Sequence, residues 1–198
     1  MKNIPNQITI SRVLLIFVFV IFSGVDASNP NCIHVSEKTA YICHFLAIII
    51  AFIAALTDLL DGYLARKMKV ESDFGRLIDP LADKIFMLAT FTMMVAYNMI
   101  PGWFFIIIFS REFMVTGLRT LAAGKGIVIS ADRWGKLKTA SQMFMLAVGG
   151  GAWLGFYSVS EGCGRMIWWT LMGAVTVITV VSGLGYFIKN KKLYLESL

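Results

Sequence analysis

Four aspartates form two pairs with helical spacing, in a chain that has only 12 acidic residues. Asp58 and Asp61 are three residues apart, and Asp79 and Asp83 are four residues apart. Side chains at these spacings share one face of a helix. Carboxylate oxygens are the ligands that Mg²⁺ and other hard divalent cations take, usually together with substrate phosphates. The four aspartates therefore indicate a metal site that binds a phosphate-bearing substrate.

The residues around the first pair suit a bulky phosphate ligand. Gly62 and Ala65 are small and lie on or beside the face that carries Asp58 and Asp61. Small residues allow a ligand to approach the helix backbone closely. Arg66, one turn beyond Gly62, can supply charge to a diphosphate. A pair of aspartates at a helix end is often only a solvated cap, but four that converge at one edge are poorly explained in that way.

Apolar helices must position these residues. Apolar residues make up 58% of the 198 and charged residues only 15%, against about 25% charged in average globular domains. This composition argues against a disordered chain, a disulfide scaffold and a soluble enzyme. A helix needs about 20 apolar residues to cross a bilayer. The sequence predicts six such spans in a single domain over 1–198, at residues 8–23, 41–66, 77–98, 102–123, 134–157 and 166–188.

The basic residues predict an orientation for these spans. Of the 18 Lys and Arg residues, all but Lys38 and Arg165 fall on one side when the loops alternate. Cytoplasmic loops carry the excess of Lys and Arg. Both termini and the aspartate edge are therefore expected in the cytoplasm, and the loop over 23–39 outside. The basic charge is then explained by topology and anionic lipid head groups, and no nucleic-acid partner is expected.

Several other features have simpler interpretations. Cys32, Cys43 and Cys163 lack CxxC spacing and are expected to be free thiols, with a Cys32–Cys163 disulfide left open. No metal role is expected for the two histidines. Small residues every four positions predict a close helix contact, within the chain or between chains; they are Ala147, Gly151 and Gly155. Four tryptophans near span ends predict an interfacial aromatic belt; they are Trp103, Trp153, Trp168 and Trp169.

The aspartates belong to a longer signature. The chain reads Asp58-Leu-Leu-Asp61-Gly62-Tyr-Leu-Ala65-Arg66, then eight residues, then Gly75-Arg-Leu-Ile-Asp79-Pro-Leu-Ala-Asp83. This resembles the D-x-x-D-G-x-x-A-R…G-x-x-x-D-x-x-x-D pattern of the CDP-alcohol phosphatidyltransferases, and every signature position is filled. The resemblance implies an all-α integral membrane bundle of six transmembrane helices. It also implies transfer of a phosphatidyl group from CDP-diacylglycerol to an alcohol, with release of CMP.

Motifs outside the signature are similar to those of the bacterial members that use glycerol 3-phosphate and make phosphatidylglycerophosphate. They are Asn3-Ile4-Pro5-Asn6, Arg111-Glu112-Phe113 with Arg119, and Gly135-Lys136-Leu137-Lys138-Thr139 with Gln142. This narrower resemblance implies a role in phospholipid biosynthesis. It further implies a multi-pass homodimer in the bacterial cytoplasmic (inner) membrane, surrounded by membrane lipids, with its active site on the cytoplasmic side.

The resemblance also implies roles for individual residues. Divalent cations, Mg²⁺ or Mn²⁺ and two per active site, are held by Asp58, Asp61 and Asp79. Asp83 matches the general base and is a further candidate ligand. The CDP-diacylglycerol site matches Gly62, Ala65, Arg66 and Gly75.

The acceptor site is predicted from charge. Glycerol 3-phosphate is a dianion and needs guanidinium or ammonium partners. Arg111 and Arg119 lie roughly 80° apart on a helix, on one broad side. The alternative is a structural pair between Glu112 and either Arg111 or Arg119. Lys136 and Lys138 point about 160° apart, so one of them is expected in the pocket. Lys136 is the prediction, and Lys138 is expected to reach lipid head groups.

Two alternatives stay open at the level of sequence. The first is a member of the same family that uses another acceptor, such as inositol phosphate or serine. The second is a proton- or cation-coupled transporter with an acidic relay. A transporter predicts carboxylates near the membrane midplane and often two pseudo-symmetric halves. Here the acids lie at one predicted edge and the halves do not resemble each other.

Overall fold

The computed structural model describes the backbone of residues 4–68, 73–127, 129, 132–191 and 194, and their side chains except those of residues 4–9 and 58–80. The helices are α1 (Ile4–Ser23), α2 (Glu37–Met68), α3 (Asp73–Ala96), α4 (Gly102–Gly124), α5 (Arg133–Trp153) and α6 (Gly162–Lys189). Two short parallel strands, β1 (Val25–Asp26) and β2 (Ile33–His34), lie in the connection between α1 and α2. The chain divides into an N-terminal unit, Met1–Tyr97, and a C-terminal unit, Asn98–Leu198.

Each of the six predicted spans overlaps one helix, so the all-α class is confirmed. The third and fifth spans end earlier than predicted, at Ala96 and Trp153. At the end of α5, Gly155 has a φ of +81° and its N–H donates to the carbonyl of Ala152. This left-handed backbone terminates the helix. The strand pair between α1 and α2 was not predicted, because a two-residue bridge has no periodicity to detect.

The surface of the described residues is apolar where a soluble protein would be polar. Leu14, Phe17 and Ile21 on α1 are 57–65% exposed. In contrast, Arg12 on the same helix is 3% exposed. Soluble monomers rarely expose contiguous apolar patches of this kind. Within the described residues, Glu37–Thr57 and Gly162–Lys189 are long and apolar enough to cross a bilayer. This distribution is typical of a membrane protein, while the six crossings and their orientation stay predictions.

In the N-terminal unit, α1 packs against both α2 and α3. The buried side of α2 carries alanines at intervals of seven residues, Ala40, Ala47 and Ala54. Small residues at such a surface allow two helices to approach closely. Larger side chains fill the rest of this core, including Ile16, Phe19, Phe91 and Met94.

In the C-terminal unit, α6 packs against α4 and α5. Its buried side chains include Trp168, whose indole N–H donates to the carbonyl of Met99 at 2.7 Å. The predicted aromatic belt is therefore wrong for Trp168, which is 2% exposed and serves as a core residue with a satisfied donor. Trp103 and Trp169 are each 50% exposed and keep the belt interpretation.

The predicted stripe of small residues on α5 does not form one continuous surface. Gly155 lies beyond the end of the helix. A Cβ atom on Gly151 would lie 2.8 Å from the hydroxyl of Tyr157, which itself donates to the carbonyl of Val148. The space beside Gly151 is thus used by a side chain of the same unit. The three cysteines are free thiols, as expected.

Candidate active site

The four aspartates lie on helices, as their spacing predicts. Asp58 and Asp61 lie within α2, and Asp79 and Asp83 lie within α3. Because both segments are continuous helix, each pair occupies one side of its helix backbone. Of the four side chains, only that of Asp83 is described, and it is exposed. The convergence of the four carboxylates therefore stays a prediction.

The other residues predicted from the signature also lie outside the described side chains. They are Gly62, Ala65 and Arg66 on α2 and Gly75 on α3. Among the side chains that are described, no three His, Cys, Asp or Glu residues come together as a metal site. That observation does not extend to Asp58, Asp61 and Asp79, whose side chains lie outside the described ones.

The C-terminal unit contains a buried group of charged side chains centred on Arg111. Its Nη1 donates to Oε1 of Glu112 at 3.2 Å, and its Nη2 donates to the hydroxyl of Ser182 on α6 at 2.7 Å. The Arg111 side chain is only 12% exposed. A Cβ atom on Gly183 would lie 2.9 Å from Cγ of Arg111. Glycine at 183 therefore gives the Arg111 stem its place against α6.

The same oxygen of Glu112 binds a second cation. Oε1 accepts a hydrogen bond from Nζ of Lys138 on α5, whose side chain is 6% exposed. An unpaired buried charge is expensive, so a buried lysine needs a carboxylate partner of this kind. The expectation that Lys138 reaches lipid head groups is therefore wrong. Lys136, two residues away, is exposed.

Arg119 lies two turns beyond Arg111 on α4. Its Nε donates to the hydroxyl of Tyr186 on α6 at 2.8 Å, and its guanidinium carbon lies 5.4 Å from the centroid of that ring. A phenol does not neutralise the guanidinium charge. Because Arg111 and Arg119 both contact α6, the expectation that they share one side of α4 is confirmed. The pairing of Arg111 with Glu112, an alternative at the level of sequence, is also present.

Two buried polar atoms near this group have no hydrogen-bond partner among the described residues: Nε of Arg111 and Oε1 of Gln142. Gln142 is fully buried, and its Nε2 lies 3.4 Å from the hydroxyl of Thr179 on α6. Two cations, Arg111 and Lys138, share the described carboxylate of Glu112, and the exposed Arg119 lies nearby on the same helix. The group therefore carries surplus positive charge and vacant donor capacity, which suits an anionic ligand.

Comparison with known proteins decides the family. The model of the CDP-alcohol phosphatidyltransferase family matches residues 2–181. The chain belongs to this family. It is 37% identical to the CDP-diacylglycerol–glycerol-3-phosphate 3-phosphatidyltransferase of Bacillus subtilis (strain 168), over 96% of each chain. It is 40% identical to the protein of the same name from Haemophilus influenzae, over 76% of each chain. A Rickettsia typhi protein of that name is 30% identical, over 94% of this chain and 96% of the relative.

Membership in the CDP-alcohol phosphatidyltransferase family confirms the predicted resemblance. It supports a membrane-bound enzyme, in agreement with the exposed apolar surface, and a dependence on divalent cations, which is general in the family. It does not by itself assign the acceptor-binding residues.

Sequence reasoning underestimated Lys138 and did not consider Ser182. A signal for Lys138 was present. The buried residues of α5 are Lys138, Gln142, Met145 and Gly149, at helical intervals of four, three and four. Polar residues on one stripe of a membrane helix face other protein elements rather than lipid. Lys136 lies off that stripe. Ser182 had a comparable signal, since the buried polar residues Thr179, Ser182 and Tyr186 of α6 recur at helical intervals of three and four.

A second polar group lies in the N-terminal unit, where the α1–α2 connection meets the end of α3. Nε2 of His44 lies 2.7 Å from the carbonyl of Val25 and 3.0 Å from the hydroxyl of Tyr97. Since a carbonyl only accepts, Nε2 of His44 carries a proton. The Tyr97 hydroxyl also lies 2.9 Å from the carbonyl of Ser23. This carbonyl is at the end of α1, where intrahelical partners run out.

Asp26 completes this second group. Its Oδ1 accepts from the backbone N–H groups of Ser28 and Asn29, both at 2.8 Å, and its Oδ2 lies 3.8 Å from Nε2 of His44. Burial raises the pKa of Asp26, but the hydrogen bonds from Ser28 and Asn29 and the nearby His44 outweigh burial, so the pKa is lowered. The carboxylate therefore stays ionised and fixes the turn after β1.

Proposed function

We propose that the protein transfers the phosphatidyl group of CDP-diacylglycerol to glycerol 3-phosphate, giving phosphatidylglycerophosphate and CMP. The observation that carries this proposal is similarity over almost the whole chain to proteins named for this reaction. The filled aspartate signature and the cationic group on α4 support it. Other acceptors, such as serine or inositol phosphate, are outcomes of the test below.

We assign divalent cations, Mg²⁺ or Mn²⁺ and two per active site, to Asp58, Asp61 and Asp79, with Asp83 as a further ligand. The donor set fits, since all four groups are carboxylates and both pairs lie on continuous helix. Hard cations prefer such oxygen ligands. When bound, these ions would neutralise charge on the diphosphate and on the departing CMP.

Asp83 is assigned as the general base. The acceptor hydroxyl is too weak an acid to attack unaided at neutral pH. Asp83 takes its proton while the hydroxyl oxygen bonds to phosphorus, and the bond from phosphorus to the CMP oxygen breaks with its electron pair on CMP. Support comes from the match of Asp83 to the signature and from its place as an exposed residue of α3. Gly62, Ala65, Arg66 and Gly75 are assigned to the CDP-diacylglycerol site.

Arg111 and Arg119 are assigned to the phosphate of the acceptor, and on α5 Lys138 takes the place predicted for Lys136, because Lys138 binds Glu112 beside Arg111 while Lys136 is exposed. Support comes from the shared side of α4 that carries both arginines. Guanidinium groups bind phosphate through charge-assisted hydrogen bonds, often two at once. Glycerol 3-phosphate carries a phosphate and serine does not. We therefore propose that these cations also make the enzyme prefer glycerol 3-phosphate over serine.

The decisive experiment uses purified protein in detergent with CDP-diacylglycerol and each of glycerol 3-phosphate, inositol phosphate and serine. We expect CMP and a lipid product with glycerol 3-phosphate alone. Chelation should abolish turnover, and Mg²⁺ or Mn²⁺ should restore it. Asp58→Asn should be inactive with every acceptor, while Asp83→Asn should retain CDP-diacylglycerol binding and lose about 10²–10⁴-fold in turnover. Product from serine, or full activity in chelator, would overturn the respective assignment.

We place the enzyme in the bacterial cytoplasmic membrane as a homodimer of six-span subunits, with the aspartates on the cytoplasmic side. Cysteine labelling tests the orientation, since Cys163 is exposed at the start of α6 and Cys32 is half-buried in the α1–α2 connection. A membrane-impermeant maleimide should modify Cys163 once any outer membrane is permeabilised. A Cys163→Ser variant is the control. Modification that requires lysis of the inner membrane would reverse the orientation.

A further inference from the structure

Glu112 is the described carboxylate shared by two buried cations, and the reaction assigned above gives it no role. We propose that Glu112 is a positioning residue that holds the Arg111 guanidinium in the orientation that binds the acceptor phosphate. This inference rests on the proposed function. It concerns how the arginine is presented, and it assigns to Glu112 no contact with substrate.

The geometry fixes Arg111 from two directions. Glu112 takes a hydrogen bond from Nη1 at 3.2 Å, and Ser182 takes one from Nη2 at 2.7 Å. The stem lies against Gly183. These contacts hold both the plane and the direction of the guanidinium. An arginine that is already ordered loses less rotamer entropy when it binds phosphate, and this improves affinity.

The arrangement leaves donors for a ligand. A guanidinium has five N–H groups, and Glu112 and Ser182 each account for one. Two of the four Nη hydrogens are therefore left for a ligand, whereas Nε is buried beside Gly183 without a partner among the described residues. Lys138 completes the arrangement from α5, because its ammonium binds the same Oε1 and thereby restrains Glu112 itself. One carboxylate therefore links α4 to α5, and through Arg111 to α6.

A simpler role for Glu112 is to neutralise the buried charge of Lys138. The two roles predict opposite effects on acceptor binding. If Glu112 acts only through its charge, Glu112→Gln adds net positive charge to the group, and an anion should bind more tightly. If Glu112 positions Arg111, the same variant lets the guanidinium move, and glycerol 3-phosphate should bind more weakly.

The first measurement is the KM for each substrate in Glu112→Gln. We expect the KM for glycerol 3-phosphate to rise roughly tenfold, as for the loss of one charge-assisted hydrogen bond. The KM for CDP-diacylglycerol should stay within about twofold of the wild type. Glu112→Asp keeps the charge but is shorter, and should give an intermediate value. Glu161→Gln, an exposed glutamate at the start of α6, is the matched control and should be unchanged.

A double-mutant cycle with Arg111→Ala then separates positioning from other roles. If Glu112 acts through Arg111, adding Glu112→Gln to Arg111→Ala should not raise the acceptor KM further. Additive effects would overturn the proposal, as would a lower KM in Glu112→Gln.

Should Glu112→Gln fail to fold because Lys138 is left without its carboxylate, Glu112→Gln with Lys138→Met removes both charges together. This variant should recover the wild-type melting temperature but keep a raised acceptor KM relative to Lys138→Met alone. Recovery of that KM would show a purely structural role. Absence of product from wild-type protein with glycerol 3-phosphate would instead overturn the proposed function, which distinguishes the two failures.

Discussion

The two buried polar groups, one in each unit, differ in how completely the protein satisfies them. Around His44 and Tyr97, the polar atoms meet backbone carbonyls and each other, and Asp26 accepts hydrogen bonds from two backbone N–H groups. Around Arg111, two cations, Arg111 and Lys138, share the described carboxylate of Glu112, and buried atoms of Arg111 and Gln142 have no described partner. Both groups are costly to bury. Only the second has charge and donors left over for a ligand.

How completely a polar group is hydrogen-bonded therefore distinguishes a structural role from a ligand-binding role better than its burial or its residue types do. A histidine with a tyrosine and an aspartate resembles a catalytic set by composition. Its hydrogen bonds instead close the α1–α2 connection against the carbonyl end of α1. An arginine next to a glutamate resembles an ordinary ion pair. Its second anchor on Ser182 and the second cation, Lys138, on the same carboxylate indicate a prepared binding group.

Among variants of the two polar groups, Arg119→Ala should have the largest effect on activity. The variant removes a phosphate partner whose charge no described carboxylate neutralises. A charge-assisted hydrogen bond is worth about 1.5–3 kcal/mol, or roughly ten- to hundred-fold in kcat/KM. We expect this loss for glycerol 3-phosphate as a raised KM, with the apparent affinity for CDP-diacylglycerol nearly unchanged.

The matched control for Arg119→Ala is Arg165→Ala, an exposed arginine in the same unit near the start of α6. It should leave both KM values unchanged. If Arg119→Ala instead weakens CDP-diacylglycerol and spares glycerol 3-phosphate, the cationic group belongs to the other substrate.

A smaller effect is expected from Gly183→Ala. The new Cβ would lie 2.9 Å from Cγ of Arg111, near the root of that side chain, so the arginine must shift. Overpacking of this kind costs about 1–3 kcal/mol of stability. The melting temperature should fall and the KM for glycerol 3-phosphate should rise severalfold. Gly185→Ala on the same helix has open space around its Cβ, and equal effects of the two variants would mean that crowding at Arg111 is not the cause.

The sequence predicted the helices well because lipid imposes long apolar segments. It predicted the ends of the helices less accurately. Gly155 ends α5 through a left-handed backbone conformation, which a hydropathy pattern does not detect. Within the candidate site, the signature gave the positions of the aspartates along the chain but not their arrangement in space. Spacing correctly indicated that Lys136 and Lys138 point apart. It could not show which of the two lysines joins the Arg111 group, because that depends on Glu112 of α4, which binds Lys138.

Tyr97→Phe tests the polar group around His44 in the N-terminal unit. It removes a hydroxyl near the carbonyls of Ser23 and Val25 and near His44, and leaves these groups less satisfied. The expected loss is about 1–2 kcal/mol of stability, measured as a lower melting temperature in detergent, with kcat and both KM values unchanged. Tyr41→Phe, at an exposed tyrosine of α2, is the control and should change neither. A loss of turnover in Tyr97→Phe at full folding would give this group a functional role.

The smallest effect concerns the charge of Asp26. Its pKa is lowered in the folded protein because hydrogen bonds from Ser28 and Asn29, with His44 nearby, outweigh the opposing effect of burial. A carboxyl with a lowered folded pKa stabilises the protein above its ordinary value of about 3.9, and this contribution is lost as the pH falls through the folded value. Asp26→Asn keeps an oxygen acceptor and loses only the charge. The wild type should therefore melt at a higher temperature than Asp26→Asn at pH 7, by an amount equivalent to less than about 1 kcal/mol. The difference should shrink steadily as the pH is lowered below the ordinary value. A difference that grows toward acid pH would mean that the carboxyl is held by partners that favour its protonated form, contrary to the geometry of the turn.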